Sequence, residues 1–209
     1  LIGQVERWEA GRMALQEQNY SRLLSDVTKL VIEVNAPGQA SEAMARAFHV
    51  AESGTPGPVA VIVPEDVFDD TTDAPAAKPR PAALAGPRVE DLDRLAALLT
   101  AAERPLVWVG GAVHPADVAD VARLAEQWVL PVMPTHRRPH LFDPAHPNYG
   151  GYMSGRVHGE IMAELKQTDL LVALGERLAV STTQGFTFPQ APDPQMPLVH
   201  VWPGPEEVG

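Results

Sequence analysis

The sequence predicts a doubly wound α/β protein, a parallel sheet of Rossmann type covered by helices on both faces, together with a fragment of a second α/β domain. Three observations carry this expectation. Short apolar runs without alternation, Val59 to Val63, Pro105 to Val109 and Leu170 to Leu174, have the character of strands buried on both faces. Segments with helical apolar spacing stand between such runs. Gly and Pro punctuate the junctions.

The chain opens on Leu1-Ile2-Gly3, which reads as the end of a buried strand and so as part of something longer. Ser41 is expected to cap a helix through SEAMARAFHVAES, where Met44, Ala47, Phe48 and Ala51 recur at i, i+3, i+4 and i+7. Gly54 ends it, and Val59 to Val63 forms a strand stopped by Pro64. From Asp69 to Pro87 the chain loses periodicity and carries Pro75, Pro79, Pro81 and Pro87, the composition of an interdomain linker. The expected organisation is therefore a first portion over 1–68, a linker over 69–87 and a second domain over 88–209.

Beyond the linker the alternation is regular. A helix from Val89 to Ala102 places Leu92, Leu95, Ala96 and Leu99 on one face and leads into the strand PLVWVG and a Gly110-Gly111 turn. Pro115 suits the first turn of a second helix that runs to Trp128. A short PVM strand, a loop rich in His, Pro and Arg, a helix through GEIMAELKQ, the strand DLLVALG and the strand PLVHVW complete the pattern.

Composition narrows the function classes. Apolar residues at 45% and charged residues at 21% fit a globular chain with a buried core. A net charge of -11 argues against a nucleic-acid footprint, which needs clustered Lys and Arg. With no cysteine, disulfides, thiolate nucleophiles and Cys-based metal sites are excluded. No apolar run approaches the roughly 20 residues of a membrane span, and the opening residues lack signal-peptide order. A soluble, cytoplasmic enzyme without a membrane partner is expected.

In open parallel sheets ligands gather beyond the carboxyl ends of the strands, which directs attention to Gly110-Gly111-Ala112 and Gly175-Glu176-Arg177. Glycines there admit a phosphate or ribose, and an arginine can pair with a pyrophosphate. Tight structural turns use the same residues, and Gly110-Gly111 is not the G-x-G-x-x-G fingerprint, so both readings stand. His136, His140, His146 and Asp143 have the residue types of a metal site, but Pro139 and Pro144 break any helix that would align them. No metal ligands are assigned. Ser154 misses the spacing of a nucleophile elbow. His49 and His200 fall within a helix and a strand, where packing roles are expected. Trp108, Trp128 and Trp202 are expected to pack.

Several blocks, in order, carry a resemblance. Ala14-Leu15-Gln16-Glu17, Thr28-Lys29, Ser53-Gly54-Thr55-Pro56-Gly57-Pro58-Val59 and the ending Pro64-Glu65-Asp66-Val67 resemble blocks of the thiamine diphosphate-dependent family of acetolactate synthase, benzoylformate decarboxylase and pyruvate oxidase. Arg104-Pro105, Pro131-Val132 with Thr135, His146-Pro147, Asp169-Leu170-Leu171 before Gly175 and Arg177, and Val199-His200-Val201 before Glu206-Glu207-Val208-Gly209 resemble that family's central domain.

The resemblance implies that 1–68 is the last part of a pyrimidine-binding domain and 88–209 the central domain. It implies thiamine diphosphate and Mg²⁺ in the complete enzyme, a 2-keto acid substrate, decarboxylation with carbon-carbon bond formation or cleavage, and a homodimer or homotetramer. Gln16 and Lys29 match positions that line the cofactor and substrate pocket, with Leu15 in place of the usual Phe. Gly110, Gly111, Gly175 and Arg177 match nucleotide-contacting positions, where relatives hold FAD, ADP or nothing. Leu178-Ala179-Val180-Ser181 stands where flavin-binding members have Phe-Asp-Asp-Arg, and Trp202 replaces an aspartate, departures that speak against a flavin. The family's Gly-Asp-Gly motif does not occur in the 209 residues, and its activating glutamate would precede Leu1, so no turnover by the chain alone is expected. The alternative is a non-catalytic nucleotide-binding or assembly module.

Overall fold

The computed structural model of the chain describes residues 1–82 and 86–204, so part of the expected linker and the Glu206 to Gly209 block lie outside the described residues. The chain divides into two compact units, Leu1–Ala85 and Gly86–Gly209.

In the first unit, strands β1 (Ile2–Gln4), β2 (Leu30–Glu33) and β3 (Val59–Pro64) form a parallel sheet in the order β1-β3-β2. Ile2 pairs with Ile62, and Leu30 with Val59. The apolar run at β3 becomes the central strand because it alone can be covered on both faces, and Ala60 through Val63 are buried. β1 is a strand as expected, but it lies at the sheet edge and is only partly buried, which corrects the expectation of a buried one.

Helix α1 (Tyr20–Leu24) is capped by Asn19, whose side chain accepts from Arg22 N, and α3 (Glu65–Asp69) follows β3 directly. Helix α2 (Ala40–Glu52) differs from its sequence reading in two respects. Gln39 is the N-cap, while Ser41 sits inside the helix with its Oγ accepting from Ala77 N at 2.6 Å. The buried face is Ala43 and Ala47, packed with Val34, Val61, Val63 and Val67. Met44 and Phe48 turn outward, Phe48 being 61% exposed. The small alanines let the helix approach the sheet closely, so the bulkier neighbours are displaced from that contact. Residues beyond α3 stay against this unit as well: a Cβ on Gly38 would touch Thr72 and Ala74.

The second unit begins with α4 (Val89–Ala101), followed by β4 (Pro105–Val109), α5 (Val118–Trp128), β5 (Val132–Pro134), α6 (Gly159–Leu165), β6 (Leu170–Leu174) and β7 (Leu198–Val201). All four strands are parallel, in the order β5-β4-β6-β7. Successive residues of a strand point to opposite faces, and β4 shows it directly. Val107 and Val109 pack with Leu99 of α4 and Val121 and Ala125 of α5. Leu106 and Trp108 pack on the other face with Leu165 of α6, Met153, Phe188 and Met196. Both faces are thus covered, the doubly wound arrangement the sequence predicts. Each fully buried Val or Leu contributes roughly 1.5–3 kcal/mol.

α5 opens after a Pro115–Asp117 turn, where His114 Nδ1 accepts from Ala116 N. It ends at Val129, a β-branched residue held at φ 54° with its N–H on Ala125 O. The turn is secured by Asn148, whose Nδ2 donates to Ala125 O and Leu130 O.

Candidate functional site

From β4 the chain crosses through α5 to β5 on one side, then returns through α6 to β6 on the other side of β4. The direction of winding reverses there, and the reversal leaves the loops after β4 and β6 side by side at the carboxyl end of the sheet. Gly110, Gly111, Gly175 and Arg177 are brought together by this topology.

The two loops lie in direct contact. Gly110 N donates to Leu174 O at 2.8 Å, and Ala112 N to Gly175 O at 2.9 Å. A Cβ on Gly110 would stand 2.7 Å from Glu176 N and overlap Glu176 Cα, while a Cβ on Gly175, which has φ 60°, would stand 2.6 Å from Val113 N. Both glycines are therefore required by backbone packing. Gly111 is different: a Cβ there would meet the Arg138 guanidinium, 2.5 Å from Nε.

The rest of the lip is built from longer side chains. Arg177 lies over the Trp202 ring, its guanidinium carbon 5.8 Å from the centroid. His200 donates from Nε2 to Glu176 O at 2.8 Å and lies 6.2 Å from the Trp202 ring. Thr135 is fully buried and donates to Val109 O. Tyr152 Oη accepts from Arg137 N, and Gln184 accepts from Val157 N while donating to Ser154 O and Ser181 O, which joins two loops. Gln184 and Arg138 escape a sequence reading because the residues that give them a role at the lip, Ser154 and Val157 for Gln184 and Gly111 for Arg138, are far away along the chain. The only available signal was the positive charge of Arg137-Arg138 in an acidic protein.

In the first unit, Gln16 is exposed at φ 68°, and its carbonyl accepts from Tyr20 Oη at 3.4 Å. The adjacent Glu17 carboxylate takes the N–H groups of Gly11 and Ala14. The bond from Gly11 is foremost among those that hold its carboxyl below the usual range, against a smaller opposing effect of burial. The loop it gathers walls a cleft of about 660 Å³ that also includes Asn19 and Glu33. Lys29 donates from Nζ to Ser53 O at 2.5 Å and Thr55 O at 2.8 Å, and its stem rests on Gly57. It clamps the Gly-Pro turn ahead of β3.

Elsewhere, His146 accepts from Asn148 N at Nδ1 and faces Glu126 at 3.3 Å from Nε2. Trp108 is buried edge-on to Phe188, and Trp128 packs on the core. Among the described residues no helix is long and apolar enough to cross a membrane.

A parallel sheet of this strand order with a switch point between its central strands defines a doubly wound α/β unit of Rossmann type. The chain belongs to the thiamine pyrophosphate enzyme family: the sequence model described as "Thiamine pyrophosphate enzyme, central domain" matches residues 92–209. The whole chain aligns with the acetolactate synthase large subunit of Corynebacterium glutamicum at 32% identity and with an acetolactate synthase of Mycobacterium leprae at 34%, covering 34% of each. It is 32% identical to the isozyme 1 large subunit of acetolactate synthase from Escherichia coli over 96% of this chain and 35% of that protein. The chain spans about a third of the length of these relatives.

Proposed function

We propose that these 209 residues are part of an acetolactate synthase-like enzyme that acts on 2-keto acids, with 1–68 belonging to its pyrimidine-binding domain, 69–87 joining, and 88–209 forming its central domain. The collinear match to acetolactate synthases over the full chain is the observation that carries this reading. Thiamine diphosphate, when bound with Mg²⁺ in the whole protein, supplies the electron sink for decarboxylation and carbon-carbon bond chemistry. The Gly-Asp-Gly motif for the diphosphate does not occur in this sequence. What these residues contribute is therefore orientation: Lys29 fixes the turn at Ser53 to Gly57 and Gln16 stands on the Glu17-gathered loop, from which we infer that both hold backbone in place for the cofactor pocket of the whole enzyme. We assign the whole enzyme to the cytoplasm as a homodimer or homotetramer.

The departures at Leu178 to Ser181 and at Trp202 speak against a flavin dinucleotide, and a small nucleotide such as ADP would be held at the lip by side chains rather than by backbone amides. Amides of Gly110, Ala112, Val113 and Gly175 that could cradle a diphosphate already donate to backbone carbonyls, and the glycine space is filled by the facing loop. Positive charge at the lip is supplied by Arg138 and Arg177, and Trp202 offers an aromatic face.

The test is an assay of the full-length gene product with pyruvate, thiamine diphosphate and Mg²⁺. Consumption of pyruvate is expected, and its absence for every 2-keto acid tried overturns the reading. The 209-residue chain alone is expected to show none. Calorimetric titration of the chain should give saturable heat with ADP and none with FAD; FAD binding would refute the assignment at the lip.

A further inference from the structure

The first unit holds a concentration of positive charge that the reading above does not use. In a chain of net charge -11, a cleft of about 350 Å³ is lined by Arg46, His49, Lys78 and Arg80, with Glu42 as its acidic member. Such a volume lies within the range of small-molecule sites. Arg46 and His49 stand three residues apart on α2 and so share a face, while Lys78 and Arg80 approach from the segment lying along the helix. That segment is held in place: Ala77 N donates to Ser41 Oγ at 2.6 Å, and Pro79 and Pro81 restrict its backbone. Among the described residues, Arg46, Lys78 and Arg80 have no acidic partner within ion-pair distance. Three like charges gathered in this way repel one another, which an incoming anion would relieve.

His49 adds an imidazole to the wall of the cleft. Its Nδ1 is buried without a hydrogen-bond partner. Over the shared wall of Ala77, Pro79 and Arg80 lies a second cleft of about 630 Å³, formed by the outward-facing Met44 and Phe48. The basic and apolar compartments are contiguous, with Arg80 at the boundary.

We propose that this double cleft binds a phosphate monoester with an apolar or aromatic body, the phosphate on Arg46, His49, Lys78 and Arg80 and the body against Met44, Phe48 and Pro79. The proposal is independent of the keto-acid chemistry and of the switch-point lip.

The probes are phenyl phosphate and inorganic phosphate, titrated into the ¹⁵N-labelled chain at ionic strength held constant with sodium chloride. Phenyl phosphate is expected to bind saturably, with amide shifts concentrated at Arg46 to His49 and Ala77 to Arg80, and more tightly than inorganic phosphate. The double substitution Arg46→Gln, Lys78→Gln removes two charge-assisted bonds from exposed positions and should weaken both probes by at least about tenfold. Phe48→Ser should weaken phenyl phosphate alone. Equal affinity for the two probes would assign the site to free phosphate and overturn the monoester reading. Shifts elsewhere, or binding that survives the double substitution, would overturn the site altogether; the wild-type shift map decides this even if a variant does not fold.

Discussion

Replacing Gly110 by Ala tests the account of the switch point most directly, because sterics alone decide its effect. Its φ lies outside the left-handed region, so alanine has no backbone conflict at this position. The added Cβ would stand 2.7 Å from Glu176 N and overlap Glu176 Cα, atoms of the loop that leaves β6. Ordinary carbon contacts lie at about 3.5–4.0 Å, so the loops after the two central strands must separate by roughly 1 Å. That would strain the bonds Gly110 N to Leu174 O and Ala112 N to Gly175 O. Overpacking typically costs about 1–3 kcal/mol, and rigid backbone on both sides places this case near 3 kcal/mol. With an m-value of roughly 1.5 kcal/mol/M, the urea midpoint of the second unit should fall by roughly 2 M. Tryptophan fluorescence reports mainly that unit, since Trp108, Trp128 and Trp202 of the four tryptophans lie in it and the Trp108 ring is fully buried two residues from Gly110. Gly111→Ala is the matched control: its neighbour is the mobile end of Arg138, so the loss should stay below about 1 kcal/mol. A Gly110→Ala variant as stable as the parent, or a Gly111→Ala variant that loses more, would refute the reasoning.

Val129→Gly should raise the stability of the second unit by about 1 kcal/mol, since a β-branched residue at φ 54° is replaced by one suited to it; a lower urea midpoint would contradict this. Asn148→Ala removes two side-chain donors to Ala125 O and Leu130 O and should cost about 2 kcal/mol in the same measurement, so a change under about 0.5 kcal/mol would count against the clamp. Lys29→Ala should loosen the turn at Ser53 and Thr55, visible as faster amide hydrogen exchange at Gly57, whose own N–H bonds Ala51 O; unchanged protection would show that the clamp is idle. For Asp66, partial burial pushes the carboxyl up, but hydrogen bonds and charge from Arg7 outweigh it and hold the carboxyl below the usual range. The stabilisation is thus present above the unfolded pKa and lost as pH falls through the lower folded one. An NMR titration should find the midpoint of Asp66 below that of a free aspartate, and Arg7→Gln should return it upward.

How much of this could be read from residues alone depends on how far each feature reaches along the chain. Buried strands at 59–63, 105–109 and 170–174, the helices between them and the parallel class follow from local patterns, because an unbroken apolar run has no stable alternative to coverage on both faces. The same local logic points to the loops after β4 and β6. Tertiary packing decided the rest. Met44 and Phe48 have the spacing of a core stripe, yet the adjacent alanines face the sheet, since periodicity gives the angle between side chains and not which angle meets the core. Ser41 has the chemistry of a cap, but a residue 36 positions away along the chain claims its hydroxyl. Gly110 and Gly175 are needed for each other's loops only once the order β5-β4-β6-β7 makes them neighbours. Strand order is a property of crossovers packing in three dimensions, and no short window of sequence contains it.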